Sequence, residues 1–212
     1  MLDLTVTRTA NAGVLLKMDG VSILLDGVCE QLSPYLQTPK ALRDMLMESP
    51  PDVLAFTHKH KDHYDASYAQ FYKEKTLRSV YGPESLPFYE LESGIRMSLV
   101  ETRHIGKADI PHVSYIIEGN ACVWFMGDAS PLVLKKLQDF PKPDLLIAPF
   151  AYATTPSAWR YAEDTGARDI LILHMPLIEN DSEGIWSLVR STAENAKQLH
   201  IPQMSEKLSF SL

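Results

Sequence analysis

The sequence predicts a single α/β domain over residues 1–212, on three observations. Short, continuously apolar runs recur along the chain, each ending in polar residues, as strands covered on both faces do. Stretches with helical spacing separate these runs. No Gly/Ser/Pro-rich linker, low-complexity tract or repeat marks a boundary between domains.

The elements follow in order. Leu2–Arg8, Gly13–Met18 and Val21–Asp26 read as antiparallel strands, because Asp19-Gly20 between two apolar runs is hairpin chemistry. Leu42, Met45 and Leu46 predict a helix over Thr38–Met47, stopped by Pro50-Pro51. From Asp52 onward, strands are expected at Val53–Phe56, Val80–Tyr81, Met97–Thr102, Val123–Met126, Leu145–Ala148 and Ile170–Leu173. Helices are expected at Ala66–Lys75, Pro131–Asp139, Pro156–Thr165 and Glu183–Leu199. Thr155-Pro156 supplies a cap and first-turn pair, and Ile185, Leu188, Val189, Thr192, Ala196 and Leu199 form one stripe on the last helix.

Composition narrows the function classes. Apolar residues make up 45% and charged residues 22%, which describes a folded globular unit and not a disordered tail. Lys plus Arg total 20 against 27 Asp plus Glu, so a formal charge of −7 disfavours nucleic acid as a partner. Cys29 and Cys122 lack CxxC spacing, which excludes a disulfide framework and a cysteine zinc knuckle. The first residues, MLDLTVTRTA, carry no export signal, and runs such as Val21–Leu25 and Leu145–Phe150 fall far short of the roughly 20 residues that cross a bilayer. A soluble, cytoplasmic protein without membrane contact is expected.

The informative stretch is Thr57-His58-Lys59-His60-Lys61-Asp62-His63-Tyr64-Asp65, directly after the apolar run Val53–Phe56. Of 7 histidines in the chain, three are here. A solvated charged loop has no reason to choose imidazoles over Lys and Glu, whereas neutral imidazole with carboxylate is the commonest donor set for zinc-like ions. His104, Asp128 (in Gly127-Asp128) and His174 each stand just beyond another predicted strand. A common sheet edge would gather all of them.

THKHKDHYD resembles the HxHxDH signature of the metallo-β-lactamase-fold hydrolases, and His104, Asp128 and His174 follow in that family's order. The resemblance implies a four-layer αββα sandwich of two mixed sheets flanked by helices. It implies that His58, His60 and His104 hold one metal, that Asp62, His63 and His174 hold a second, and that Asp128 bridges them. Two divalent ions, zinc first with manganese or iron as alternatives, would then be the cofactors. Asp62, Asp128 and a bridging hydroxide would offset their charge, and that hydroxide would attack the substrate. The expected reaction is hydrolysis of a small anionic ester, lactone or phosphodiester. Within the family, the short N-terminal hairpin and compact spacing look most like the lactonase branch that includes ascorbate-6-phosphate lactonase. The alternatives are a mononuclear iron dioxygenase acting on a persulfide and a non-catalytic metal-binding module. Oligomeric state is left open.

Asp62 and His112 are the candidate catalytic residues. His112, in Pro111-His112-Val113-Ser114-Tyr115, is read as a proton donor or substrate contact beside its plainer reading as a half-exposed strand residue. Asp26 is either a turn residue or an acceptor that orients a ligand imidazole. Asp65 is expected to cap the following helix, His200 to sit at a helix end, and Cys29 to be a buried thiol. Lys59, Lys61, Arg103 and Lys107 could draw in an anionic substrate. Tyr152 and Trp159 line the cleft or pack a helix.

Overall fold

The protein, described here by a computed structural model covering residues 3–106 and 109–211, is a four-layer sandwich. Numbered in chain order, the first sheet contains β1 (Asp3–Arg8), β2 (Val14–Met18), β3 (Val21–Leu25), β4 (Val53–Ala55), β5 (Val80–Tyr81) and β13 (Lys207–Ser211). Their order is β13-β1-β2-β3-β4-β5, antiparallel up to β3 and parallel beyond it. The second sheet contains β6 (Phe88–Glu90), β7 (Arg96–Glu101), β8 (Val113–Glu118), β9 (Cys122–Phe125), β10 (Leu145–Pro149), β11 (Asp169–Leu173) and β12 (Leu199–His200). It runs β12-β11-β10-β9-β8-β7-β6, parallel from β12 to β9 and antiparallel thereafter.

The two-residue period of a strand explains the layers. Leu16, Ile23, Leu25 and Val53 face inward and meet Met97, Tyr115, Val123, Ile147 and Leu171 of the opposite sheet in the central core. Their neighbours Leu15, Leu24 and Leu54 face outward, against Leu46 of α1 (Lys40–Glu48) and Tyr68 and Tyr72 of α2 (Ala66–Thr76). On the other side, Trp124, Leu146, Ile170 and Ile172 are covered by α3 (Pro156–Glu163), by α4 (Ile185–Ala193) and by a 3₁₀ run over Pro131–Leu137. Apolar strands are therefore buried on both faces, as their composition predicted.

The β2–β3 hairpin turns at Asp19 and Gly20, both with positive φ (52° and 81°), the geometry that Asp-Gly favours. Asp65 caps α2, accepting the Tyr68 amide at 2.9 Å, and Thr155 caps α3, accepting the Ala158 amide at 3.2 Å. Two expected helices differ. The Pro131–Asp139 stretch is 3₁₀ and not α-helical: Val133, Leu134 and Leu137 are all drawn onto the sheet, and no side chain caps the run at Ser130. The helix expected over Glu183–Leu199 stops at Ala193, and Leu199–His200 pairs in parallel with β11. His200 is thus an edge-strand residue whose Nε2 lies 2.6 Å from Asp169 Oδ1, and not a helix end. Leu2, expected in the first strand, lies outside the described residues.

Candidate metal centre

Every candidate ligand hangs from the carboxyl end of a strand: the His58–His63 loop after β4, His104 after β7, Asp128 after β9 and His174 after β11. The loops are pinned by main-chain bonds. His63 and Tyr64 amides donate to the His60 carbonyl (3.0 and 2.8 Å), winding the motif into one turn. The Val113 amide donates to the Thr57 carbonyl, the Ile105 amide to that of Asp128, and the His174 amide to that of Asn11. Gly127 has φ +53°, and a Cβ there would lie 2.6 Å from the Thr57 side chain, so the turn before Asp128 needs glycine.

The structure brings all seven predicted ligands together. Donor atoms within 4.8 Å of one another form three groups: His58, His60 and His104; His58, His63 and Asp128; and Asp62, His63 and His174. Asp128 spans the groups, with Oδ2 at 3.4 Å from His63 Nε2 and 3.5 Å from His104 Nε2, and Oδ1 at 3.5 Å from His174 Nε2. Asp62 Oδ2 lies 3.0 Å from His174 Nε2.

Hydrogen bonds fix three ring tautomers. Asp26 is completely buried and accepts the Thr57 amide at Oδ1 (2.7 Å), and the Thr57 hydroxyl (2.6 Å) and His63 Nδ1–H (2.8 Å) at Oδ2. The Thr57 hydroxyl spends its one O–H on Asp26, so it accepts from His58 Nδ1–H at 3.0 Å. His104 Nδ1–H donates to the Ile105 carbonyl at 2.6 Å. In all three rings Nε2 is left with a bare lone pair turned to the centre. The Nε2 atoms of His58 and His104 are buried without a hydrogen-bond partner, as is Asp62 Oδ1, while those of His63 and His174 face only the carboxylates of Asp128 and Asp62. Clustered buried acceptors with nothing to accept from fit a cation and little else.

Charge states agree. Burial pushes His58 and His60 below the ordinary imidazole range and keeps them neutral. Burial opposes the ionised form of Asp128, but the imidazoles of His174 and His63 outweigh it and hold the carboxyl well below its usual range. Asp62 is likewise lowered, its burial outweighed by His174 and His63. His63 differs: burial opposes its charge, yet Asp128 and Asp26 raise it well above its usual value, so on its own this ring favours the protonated form, and the positive charge that the two carboxylates draw to its Nε2 is one a cation would take over.

His112 is not half-exposed; it is buried behind the centre. Its Nε2 accepts the Asp128 amide at 3.0 Å, and its Nδ1 lies 2.8 Å from the Thr102 hydroxyl. Burial pushes it down to about 3, so the ring is neutral and Nδ1 carries the proton. Thr102 Oγ1 in turn lies 3.0 Å from Ser114 Oγ, which donates to the Met126 carbonyl at 3.1 Å. Sequence reasoning missed Thr57, Thr102 and Ser114. Thr57 adjoins the motif and could have been suspected; Thr102 and Ser114 meet only through strand pairing.

Other residues lie apart. Lys59 pairs with Glu84 (2.6 Å) and Lys61 with Glu30 (3.1 Å); Arg103 is exposed, and Lys107 lies outside the described residues. Cys29 and Cys122 are buried free thiols. Tyr152 is buried with its hydroxyl 3.4 Å from the Ser130 carbonyl, and Trp159 packs on the outer core. Tyr35 and Phe150 flank His174, ring centroids 4.3 and 6.0 Å away.

The fold is that of the metallo-β-lactamase class. The sequence profile of the beta-lactamase superfamily domain matches residues 5–164, and the chain belongs to that superfamily. Among solved structures it is similar to an isothiocyanate hydrolase from Delia radicum gut bacteria, at 15% identity and TM-score 0.72, covering 98% of this chain and 100% of the other. It is also similar to a metallo hydrolase from the hyperthermophilic archaeon Ignicoccus hospitalis, at 16% identity and TM-score 0.70, covering 99% of each. No curated protein matches it by sequence.

Proposed function

We propose that the protein is a metal-dependent hydrolase of a small molecule carrying an ester, lactone or phosphodiester, with two divalent cations in the cage. One observation supports this reading: four buried imidazole Nε2 atoms converge with two carboxylates, and those of His58 and His104, whose Nδ1 carries the proton, have no partner in the protein. His58, His60 and His104 would hold one cation, Asp62, His63 and His174 the other, and Asp128 would reach both. Zinc suits the nitrogen-rich first set; manganese and iron are the alternatives. Such cations supply Lewis acidity and lower the pKa of a coordinated water.

The chain's own residues supply orientation and proton handling. Asp26 and Thr57 lock His63 and His58 in the tautomer that presents Nε2. Asp62 would double as a proton acceptor, a role supported by its buried and unpaired Oδ1. His112 has both nitrogens engaged, so its assignment as a proton donor gives way to a positioning role for Asp128. Attraction of an anionic substrate would fall to Arg103, next to His104 in the chain, because Lys59 and Lys61 are paired with glutamates. The complete second set weighs against the mononuclear dioxygenase. Two free buried thiols favour a reducing, cytoplasmic setting, and among the described residues no helix is long and apolar enough to cross a membrane.

Metal analysis of protein purified without chelator, with turnover on a panel of lactones, esters and phosphodiesters, tests the proposal. Two equivalents of metal and at least one active class are expected. His58→Ala and Asp128→Ala should each lower turnover by about 10²-fold or more. Wild-type turnover in both variants would refute the assignment.

A further inference from the structure

A second cavity, of about 260 Å³, opens on the outer face of the seven-stranded sheet, away from every candidate ligand. Trp124 of β9, Phe140 and Tyr161 of α3 bring three aromatic rings to its wall, and Lys135, Lys142 and Asp164 bring two positive charges against one negative. In a chain of formal charge −7 that local balance is the reverse of the whole. Neither lysine is paired with a carboxylate within 4 Å among the described residues. Lys135 Nζ instead stands 4.7 Å from the Tyr161 ring centroid, a cation–π contact that places its charge at the aromatic wall. Lys142 lies along Gly166: a Cβ there would sit 3.5 Å from Lys142 Cδ and 3.7 Å from Nζ.

Trp124 is 3% exposed, and its indole lies against the Cys122 thiol two residues earlier on the same strand. Buried indoles ordinarily find an acceptor. The replacement of the expected Pro131–Asp139 α-helix by a tighter 3₁₀ run belongs to the same region, since Leu134, Lys135 and Gln138 form one side of the cavity. Aromatic walls beside two ammonium groups without carboxylate partners are complementary to a planar ring bearing a carboxylate.

We propose that this cavity is a second ligand site, for a small aromatic monocarboxylate. The ring stacks among Trp124, Phe140 and Tyr161, and the carboxylate accepts from Lys142 and Lys135. None of the lining residues belongs to the metal cage, so this site stands or falls independently of the hydrolase reading.

The test is calorimetric titration of the full chain, in excess chelator, with benzoate, its neutral isostere benzamide, and cyclohexanecarboxylate. The chelator removes the other place where a carboxylate could bind. Saturable benzoate binding is expected, with each of the other two weaker by about tenfold. Lys142→Gln and Lys135→Gln change exposed side chains and leave the fold intact. Each should weaken benzoate by about fivefold to tenfold and leave benzamide unchanged. Trp124→Phe, compared by circular dichroism with wild type, should weaken all three ligands. No saturable benzoate binding, or binding that the two lysine substitutions together leave unaltered, overturns the proposal.

Discussion

Asp26 shows how one buried carboxylate can organise a site it never enters. Its two oxygens take three donors, and through them the orientations of His63 and His58 are decided together. Its backbone is in the left-handed region (φ 47°), and its amide donates to the Ala55 carbonyl, so the turn is held by the neighbouring strand. Asp26→Ala is expected to weaken metal binding by about 10- to 100-fold, read by competition against a chelating dye. Unchanged affinity would mean that the imidazoles orient themselves without it. The convergence of the seven candidate ligands was legible in the sequence because histidines are few, three of them crowd into His58–His63, and the rest of the set follows in the order the family resemblance implies. Asp26 was half legible, since Asp-Gly is equally turn chemistry. Thr102 and Ser114 were not, because hydroxyls that pair across strands leave no mark on local sequence.

At the scale of elements, α2 is fastened by the residue that starts it. Asp65 caps the helix through the Tyr68 amide, accepts the Ser67 hydroxyl at 2.6 Å, and forms an ion pair with Arg43 of α1, so one carboxylate ties two helices over the first sheet. Asp65→Ala should cost about 1–2 kcal/mol in urea denaturation while leaving the denaturant slope unchanged. A loss within error of zero would show the cap to be redundant. Elements with their own signals were read correctly, namely the Asp19-Gly20 hairpin, the Thr155-Pro156 helix start and the double-faced apolar strands other than Val113–Glu118, which was not among the expected strands. Those whose shape is imposed by neighbours were not. Leu199 fits a helical stripe as well as an edge strand, and only pairing with β11 decides between them. The strands Phe88–Glu90 and Lys207–Ser211 are short or polar enough to pass for loop until a sheet accepts them.

Across the whole molecule, charge links distant segments, and this gives the fold a pH dependence separate from that of the cage. Asp52 joins the β2–β3 hairpin to the end of α2: Oδ2 accepts the Ser22 amide and hydroxyl (2.9 and 2.6 Å), and Oδ1 accepts from Arg78 (3.0 Å). Burial alone would raise its carboxyl, but the bonds from Ser22 and then Arg78 outweigh it and hold it below the ordinary range. A depressed folded-state pKa stabilises above the unfolded value of about 3.9 and loses that contribution as pH falls through the folded one. Asp52→Asn should therefore melt below wild type at pH 7, with the gap closing as pH drops under about 4. A gap constant over that range would assign the effect to packing. The placement of the cage on strand ends has a broader result. Its rim is made of connecting segments that can be lengthened, shortened or rewritten while the thirteen described strands stay in register. New chemistries could thus be acquired by retooling the mouth alone, with the underlying frame inherited intact.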